Sequence, residues 1–583
     1  MARRDLEKVG RTPLLGLGGV ELRPNVYDLA IFVLIAAAFV AMAHGAREIA
    51  APATGLVAEP VTLDPANLPE YALRTTLRMF AAIAASLVFT FIVATLAAKS
   101  RKAELVIVPA LDILQSVPVL GFLTFTVVFF LRLFPQSELG AECAAVFAIF
   151  TSQAWNMAFS FYQSLRTVPA DLDEVSRHFQ LSPWLKFWRL EAPFAAPGLI
   201  WNTMMSMSGG WFFVVASEAI TVGDTTVKLP GIGSWLAVAI ADRNIAAVVQ
   251  AVLTMAIVIL AYDQLLFRPI VAWADKFRFE QTAAQQRPRS WVYDLWRRGR
   301  LVRRLTLATA WAGRAISVLP LGFARPARQA ATPRAGRASD VVWRVAVLAV
   351  AAYALWRIVL FTRAALGWSD LWTAIEMGLL TLLRVAVLIT IASAIWVPIG
   401  VWIGLRPWAA TRVQPLAQFL AAFPANVLFP IAVVLIVSLR LDPDIWLSPL
   451  MVLGTQWYIL FNVIAGASAF PTDLREASTL FRLRTWQWWR KVIVPGILPY
   501  YVTGALTASG GSWNASIVAE VASWGDTKLK AVGLGSYIAD ATEAADYPRV
   551  VLGIVVMSVM VVVCNRLIWR PLYRLAERRF RLA

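Results

Sequence analysis

The chain contains the stretch PADLDEVSRHFQLSPW at residues 169–184 and a second version of it, PTDLREASTLFRLRTW, at residues 471–486. Eight of the sixteen positions are identical, and the two stretches lie 302 residues apart. The same spacing continues without a gap as far as Arg268 and Arg570. A repeat of this length is far longer than the roughly 20–50 residues of solenoid repeats. The sequence therefore predicts two tandem copies of one domain, related by a pseudo-twofold axis.

The composition predicts a membrane protein. Of the 583 residues, 59% are hydrophobic and 15% are charged, whereas a soluble protein carries about 25% charged residues. Runs such as Leu29–Ala43, Met79–Ala98 and Val550–Cys564 approach or reach the roughly 20 apolar residues that cross a bilayer. They lack the alternating pattern of a barrel strand, so the sequence predicts an all-α, polytopic fold with about twelve spans.

The repeat divides these spans into two six-helix halves. In the first half we expect spans near residues 27–44, 75–98, 107–131, 141–164, 195–220 and 245–267. In the second half we expect them near residues 342–361, 374–404, 413–439, 447–467, 497–522 and 547–569. The predicted segments are a basic N-terminal segment at 1–26, a first six-helix half at 27–270, a basic linker at 271–340 and a second six-helix half at 341–583.

Charge and rare residues exclude several functions. The net charge of +18 follows the concentration of Lys and Arg in cytoplasmic loops of membrane proteins, so nucleic-acid binding is not expected. The same rule predicts that both termini are cytoplasmic. Two cysteines and two histidines supply neither a disulfide framework nor a metal site. We find no catalytic constellation and predict that the chain is not an enzyme.

The predicted linker is strongly basic. Residues 268–339 contain 15 Lys or Arg and 3 Asp or Glu. Its middle, Trp291–Trp311, interleaves tryptophan, leucine and valine with five arginines. This pattern predicts an amphipathic helix on the lipid of the anionic cytoplasmic leaflet. The alternative is a mostly disordered linker whose charge only follows the topology rule.

A long cytoplasmic loop lies between the fourth and fifth spans of each half, at residues 166–194 and 468–496. Both loops are predicted to be helical, with acidic residues in the first turn, where the helix dipole favours them. Both also carry aromatic residues that have no lipid to enter. Apolar side chains on a cytosolic helix indicate docking into the groove of another protein.

These loops carry a specific resemblance. The patterns Glu174-Val175-Ser176…Ala192-Pro193 and Glu476-Ala477-Ser478…Val494-Pro495 resemble the EAA coupling loop of bacterial ABC importer permeases. The later motifs Gly231-Ile232-Gly233-Ser234 and Gly533-Leu534-Gly535-Ser536 are similar to the nitrate/taurine/sulfonate branch of that family, which includes duplicated anion-type permeases. The chain departs from the family motif at one place in each loop. Gln180 and Arg482 stand where the family has a glycine that bends the coupling helix.

The resemblance implies a division of labour among subunits. Such permeases have no ATPase of their own, and this sequence contains no G-x-x-x-x-G-K-[ST] loop. Two separate ATPase subunits would bind ATP and Mg²⁺, an extracytoplasmic binding protein would deliver the solute, and this chain would carry no cofactor. The expected substrate is a small anion such as nitrate, a sulfonate or a related oxyanion, moved across the bacterial inner membrane. The expected ATPase-coupling residues are Asp171, Glu174, Phe179, Leu181, Trp184, Asp473, Glu476, Phe481, Leu483 and Trp486.

Small and polar residues concentrate on the fourth and fifth spans and predict a substrate pathway. The candidates are Gln153, Trp155, Ser208, Trp211, Glu218, Gln456, Trp457, Ser512, Trp513, Asn514 and Glu520. The glycines beside them have an alternative explanation, because small residues also permit close helix packing. A carboxylate would repel an anion, so a structural or gating role is favoured over direct substrate contact for Glu218 and Glu520.

Two further expectations concern the pathway and its energy source. Prolines interrupt the third span of each half, at Pro118 and Pro424, and such irregular backbone predicts a cavity wall. The alternative function is a twelve-span secondary transporter coupled to an ion gradient. That class predicts short cytosolic loops and proton relays within the membrane, and the duplicated long loops argue against it.

Overall fold

The structure is a computed structural model that describes residues 61–115, 119–134, 138–222, 225–277, 290–299, 333–470, 472–483 and 485–580. This described part is almost entirely α-helical, as the composition predicts, and contains two short β-hairpins. The predicted first span at 27–44 lies outside the described residues.

The first half is a bundle of long helices with short ones at its two ends. Its helices are α1 (Leu68–Lys99), α2 (Arg101–Leu114), α3 (Val119–Leu133), α4 (Glu138–Arg166), α5 (Ala170–His178), α6 (Pro183–Lys186), α7 (Ala192–Glu218), α8 (Ile232–Ala241), α9 (Ile245–Tyr262) and α10 (Arg268–Ala274). The short helix α11 (Trp291–Arg298) follows in the linker.

The second half repeats this order. Its helices are α12 (Pro333–Arg363), α13 (Trp368–Gly404), α14 (Pro407–Ala422), α15 (Phe429–Ser438), α16 (Pro443–Trp446), α17 (Ser448–Leu453), α18 (Gln456–Ser468), α19 (Thr472–Leu480), α20 (Thr485–Trp488), α21 (Val494–Ala519), α22 (Leu534–Glu543), α23 (Tyr547–Cys564) and α24 (Arg570–Phe580). In the described residues, six helices are long and apolar enough to cross a membrane, and two bent helix pairs raise the number to eight.

The predicted third span is broken in both halves. The sequence analysis predicted one span at 413–439, and the structure has α14 and α15 there, bent by 77° around Pro424. At 107–131 the structure describes two helices, α2, which ends at Leu114, and α3, which begins at Val119; residues 116–118 lie outside the described residues. Proline lacks the N–H that would continue a helix, and it disfavours helical backbone in the residue before it. The bend at Pro424 confirms the interruption of the third span that the sequence analysis predicted there.

Four π-helical turns occupy equivalent places in the two halves. They are Phe187–Glu191 and Asp263–Phe267 in the first half and Trp489–Ile493 and Asn565–Trp569 in the second. Each lies shortly before a proline that the following helix contains near its start. A proline ring clashes with the carbonyl four residues earlier, and a widened turn relieves that clash. The matched positions show that the two halves share a backbone as well as a sequence pattern.

The sequence analysis did not predict the two hairpins. The strands β1 (Ala219–Val222) and β2 (Thr225–Lys228) follow α7, and β3 (Val521–Trp524) and β4 (Thr527–Lys530) follow α21. Both pairs are antiparallel, and Gly525 in the second turn has a φ of 57°, which favours glycine. Four-residue strands carry too weak a pattern to be recognised beside long apolar helices.

The long helices run between two ends of the molecule. One end, called the loop end below, carries α5, α6, α19 and α20. The other, called the hairpin end, carries the two hairpins, α8 and α22. The helices α1, α4 and α7 pack together in the first half, as α13, α18 and α21 do in the second. Each half has its own hydrophobic core, and residues of α14 and of the break after it contact the core of the first half.

Candidate functional site

Aromatic side chains project from the loop end of both halves. Phe179 is 71% exposed, and its counterpart Phe481 is 77% exposed. Trp486 is 72% exposed, whereas Trp184 is half-buried and meets Trp188 edge-to-face at 5.7 Å. Burial of such apolar surface is favourable, so large exposed aromatics on an otherwise ordered loop mark an interaction surface.

The acidic residues predicted for this surface lie beside the aromatics. Asp171, Glu174 and Glu476 are exposed, and Leu181 and Leu483 are half-buried. The structure does not describe the side chain of Asp473. The remaining predicted coupling residues therefore share one face of the molecule with the exposed aromatics.

Both loops contain a left-handed bend at the position where the related motif has glycine. Gln180 has a φ of 50° and Arg482 has a φ of 49°. In the first loop, Leu181 N–H donates to the carbonyl of Ser176 at 3.1 Å, and Gln180 N–H donates to that of Arg177 at 2.9 Å. The second loop repeats this pair of bonds from Leu483 to Ser478 and from Arg482 to Thr479. These are the bonds of a Schellman motif, so the bend is present without the glycine.

One ion-pair network holds the first loop together. The carboxylate of Asp173 accepts hydrogen bonds from Lys186 and from Arg177, which joins α5 to α6. The hydrogen bond from Lys186 holds the pKa of Asp173 below its usual range. The corresponding residues of the second loop are Arg475 and Trp488, so that loop lacks this acid–base pair. The two loops share a backbone and differ in charge.

A cavity of about 790 Å³ lies between the two halves. Its wall follows α7 from Trp201 to Phe213 and α21 from Thr503 to Ala515, and it includes residues of α4 and α18. At the loop end it reaches Arg570 and Arg574 of α24.

Hydroxyl and amide side chains supply most of the polar surface of the cavity. They are Thr151, Ser152, Asn156, Ser160, Gln163, Asn202, Ser206, Ser208, Thr455, Asn462, Thr503, Thr507, Ser509, Asn514 and Asn565. None of the described residues that line the cavity is acidic. Neutral donors and two arginines give a wall that can hydrogen-bond an anion without repelling it.

The glycine pairs of α7 and α21 serve two purposes. A Cβ on Gly210 would lie 2.3 Å from Nε2 of Gln153, and one on Gly511 would lie 2.6 Å from Cγ2 of Thr455, so these glycines permit close helix packing. A Cβ on Gly510 would meet nothing within 4 Å, because Gly510 faces the cavity.

The contact between Gly210 and Gln153 is made by side chains of different size in the second half. The counterpart of Gly210 is Ser512, and the counterpart of Gln153 is Thr455. Thr455 and Ser512 are hydrogen-bonded through their hydroxyls at 2.9 Å. A large side chain over glycine in one half thus corresponds to two small hydroxyl residues in the other.

Contacts across the two halves involve the broken third spans. The backbone N–H of Val119, at the start of α3, donates to Oδ1 of Asn514 on α21 at 2.8 Å. From the other half, Nδ2 of Asn426 donates to the carbonyl of Phe212 on α7 at 3.1 Å. Each break therefore touches the fifth span of the opposite half, beside the cavity.

Glu218 lies in a buried polar cluster near the hairpin end. Its carboxylate accepts hydrogen bonds from Thr75 at 2.7 Å, from Arg78 at 2.6 Å and from the N–H of Gly233 at 2.7 Å. Arg78 also donates twice to Glu142, at 2.6 Å each. A Cβ on Gly231 would lie 2.4 Å from the carboxylate carbon of Glu218, which explains a glycine at this position.

Glu520 has the same arrangement in a looser form. It accepts from Thr381 at 2.8 Å, from the N–H of Ser536 at 3.0 Å and from Arg384 at 3.4 Å. Arg384 also donates to Asp444 at 3.0 Å, and its side chain is 15% exposed, whereas that of Arg78 is 1% exposed. The first cluster joins α1, α4 and α7 to its Gly-x-Gly-Ser turn, and the second joins α13, the short helix α16 and the residue after α21 to the equivalent turn.

The structure separates the predicted pathway residues into two groups. Trp155, Ser208, Trp513 and Asn514 line the cavity. The others do not line it: Gln153 lies against Met79, Trp211 against Tyr262, Gln456 against Trp396, Trp457 against Trp396, and Ser512 against Thr455, while Glu218 and Glu520 occupy the polar clusters.

The partners of the two glutamates were missed in the sequence. Thr75 and Arg78 recur as Thr381 and Arg384 with the same three-residue spacing, and a charged residue inside an apolar run is a signal in itself. Their repeat distance is 306 residues and not 302, so the ungapped register of the later motifs did not align them.

Comparison with known proteins gives partial matches. The chain is 30% identical over 112 residues to a nitrate import permease protein, NrtB, from Leptolyngbya laminosa, which covers 19% of the chain and 38% of that protein. It is 27% identical over 156 residues to a bicarbonate transport system permease protein, CmpB, from Synechococcus elongatus, which covers 27% of the chain and 53% of that protein. The chain thus spans about half or less of the length of these relatives.

A family match covers more than half of the chain. Residues 86–267 and residues 396–582 each match the same family, and the two matches fall on the two halves of the structure. The duplication found in the sequence is therefore a duplication of this family's domain. The chain belongs to the binding-protein-dependent transport system inner membrane component family and carries two copies of its multi-pass membrane domain.

Proposed function

We propose that this chain supplies both membrane-spanning halves of the permease of an ATP-driven importer for a small inorganic or sulfonate anion. The observation that carries the proposal is the cavity between the halves, whose described lining has hydroxyl, amide and arginine side chains and no carboxylate. The relatives that the chain matches are a nitrate import permease and a bicarbonate transport permease, which agrees with an anionic substrate.

The cavity offers donors that suit an oxyanion. The indole N–H of Trp155 has no hydrogen-bond acceptor among the described residues, and Trp155 lines the cavity. This N–H is buried in the present conformation, so reorientation of the indole towards the cavity would let an anion accept its hydrogen bond and recover the free energy that an unpaired buried donor costs. Arg570 and Arg574 would attract the anion towards the loop end.

The paired loops fit two identical or similar ATPase subunits. In this proposal the loop end faces the cytoplasm, both termini are cytoplasmic, and an extracytoplasmic binding protein docks at the hairpin end. Exposed Phe179 and Phe481 would enter one groove on each ATPase, with Glu174 and Glu476 near basic groups of that groove. Each ATPase would bind ATP and Mg²⁺, and movement of the loops would rock the halves around the cavity.

Co-purification tests this proposal. The tagged full chain is isolated from its native membrane in mild detergent, and its partners are identified by mass spectrometry. The expected result is an ATPase at two copies for each chain, together with anion uptake that stops when ATP is depleted. Repeated isolation of the chain alone, with uptake that follows an ion gradient, would instead identify a secondary transporter.

A further inference from the structure

The chain that leaves the first half forms a compact aromatic and basic unit. It consists of α10, the 3₁₀ turn Asp275–Phe277 and α11, and we call it the linker element. The helix α11 packs against α10, with Val292 buried at the contact. Ser290 caps α11 by accepting a hydrogen bond from the N–H of Tyr293 at 3.2 Å, so the helix begins at a defined residue.

The linker element exposes large aromatic side chains. Trp291 is 55% exposed, Trp296 is 41% exposed, and Trp273 at the end of α10 is 42% exposed. At 100° per residue, Trp291 and Trp296 flank the buried Val292 on one side of α11, and Arg297 lies on the other side. This is the division of a helix that lies in the plane of an interface.

A cation lies among these aromatics. The ammonium group of Lys276 is 4.3 Å from the ring centroid of Trp273 and 4.7 Å from that of Phe277. Contact with two rings holds the amine near the apolar surface by cation–π attraction. Lys276 lies in the 3₁₀ turn, and Arg297 adds an exposed positive charge from α11.

The position of the element fixes its depth. The apolar helix that runs from Ile245 to Ala274 is long enough to span a membrane, and α11 packs against its last part. The element therefore lies where a span leaves the hydrocarbon, and tryptophan is enriched at that level. The surrounding segment, residues 268–339, has 15 basic and 3 acidic residues, a charge that complements an anionic leaflet.

We propose that the linker element binds anionic phospholipid headgroups, with Trp273, Trp291 and Trp296 at the acyl boundary and Lys276 and Arg297 on the phosphates. The proposal rests on the proposed function in one respect. The orientation given there assigns these lipids to the cytoplasmic leaflet. A protein groove is disfavoured, because the element sits at the end of a membrane span.

The element is connected to the fifth span, α7, by aromatic contacts. Phe267 precedes α10 and lies 5.0 Å from Tyr262, and Tyr262 meets Trp211 of α7 edge-to-face at 5.7 Å. The helix α10 and the turn after it also contact α7 directly. The linker element is thus in packed contact with the fifth span, so anionic lipid bound at the element is expected to alter transport.

The test follows the depth of α11 in nanodiscs. Cys143 and Cys564 are replaced by Ala, a nitroxide is attached at D294C, and the full chain is placed in phosphatidylcholine with increasing phosphatidylglycerol. Relative accessibility to oxygen and to a nickel chelate reports the depth of the label. The wild-type linker is expected to move deeper as phosphatidylglycerol increases. In the double variant K276Q/R297Q the insertion constant is expected to fall about 25-fold. This estimate takes about 1 kcal/mol, which is about fivefold, for each basic residue removed.

The control is K528Q/K530Q, which removes two positive charges at the hairpin end and is expected to leave the depth unchanged. Equal depth in both lipids for the wild-type linker would overturn the proposal. So would a label whose depth changes only when an ATPase subunit is added. The measurement needs neither ATPase nor transport, and both nanodisc leaflets hold the same lipid, so failure of the proposed function or orientation would not alter its result.

Discussion

The guanidinium group of Arg78 lies between the carboxylates of Glu142 and Glu218, at 2.6 Å from each. Its side chain is 1% exposed, and that of Glu218 is fully buried. The two ion pairs of Arg78 thus hold α1, α4 and α7 together at one point. Arg78 would stay paired with Glu142 after the loss of the Glu218 carboxylate, so the cost is that of the three hydrogen bonds to this charged group, about 1.5–3 kcal/mol each.

We therefore expect Glu218→Gln to lower the thermal unfolding temperature of the detergent-solubilised chain strongly. Glu520→Gln should lower it less, because Arg384 is partly exposed and lies 3.4 Å from Glu520. The unfolding temperatures of the two variants, compared with wild type in the same detergent, test this order. Equal losses in both halves would contradict it.

A second prediction concerns two glycines of the fifth spans. Gly210→Ala should reduce stability and the yield of folded chain, because its Cβ would lie 2.3 Å from Gln153. Gly510→Ala is the matched control, since its Cβ meets nothing within 4 Å. Monodispersity by size-exclusion chromatography distinguishes the two. Equal behaviour of both variants would show that the α4–α7 contact adapts freely.

The left-handed residues of the coupling loops give a third prediction. A non-glycine residue in this conformation costs about 1–2 kcal/mol, part of which glycine recovers. Gln180→Gly should therefore slow amide hydrogen exchange in residues 170–186 by a few-fold, whereas Gln180→Val should accelerate it. A loop that exchanges faster after Gln180→Gly would mean that the glutamine side chain stabilises the bend.

The ion pair in the first loop predicts a defined pH response. The pKa of Asp173 is lowered in the folded loop, so its stabilising contribution is present above the ordinary aspartate pKa and is lost only as the pH falls through the lowered value. Asp173→Asn should increase exchange in α5 and α6 equally at pH 8 and pH 5, after correction for intrinsic rates. A difference between these two pH values would contradict the assignment of the effect to the Asp173 carboxylate.

The coupling surfaces themselves can be tested by charge reversal. Glu174→Arg with Glu476→Arg should abolish co-purification of the ATPase while leaving the chain folded in the membrane, since both side chains are exposed. Glu70→Arg with Glu543→Arg reverses two surface acids at the hairpin end and serves as the control for overall charge. Retention of the ATPase by the first variant would count against the coupling assignment.

Sequence reasoning reached the architecture because repetition and hydropathy are strong, long-range signals. The repeat gave the two halves, and the apolar runs gave the long helices. The hairpins after Glu218 and Glu520 escaped because four-residue strands have little pattern of their own.

The interior of the site was less accessible to the same reasoning. A polar residue on a predicted span faces either a cavity or a neighbouring helix, and sequence alone does not separate the two. Trp155 and Trp457 illustrate this: they occupy equivalent positions, yet Trp155 lines the cavity and Trp457 packs on Trp396. Helix rotation and the neighbours across the bundle decide between these outcomes.

The contact between Val119 and Asn514 has a consequence for biosynthesis. The residue equivalent to Asn514 in the first half is Phe212, whose side chain has no acceptor for a backbone N–H. Two copies of the first half would therefore lack this bond, which favours the pairing of unlike halves by about 1 kcal/mol. Joining unlike halves in one polypeptide fixes their stoichiometry at one to one as the chain is translated, so correct pairing needs no search among separately made subunits.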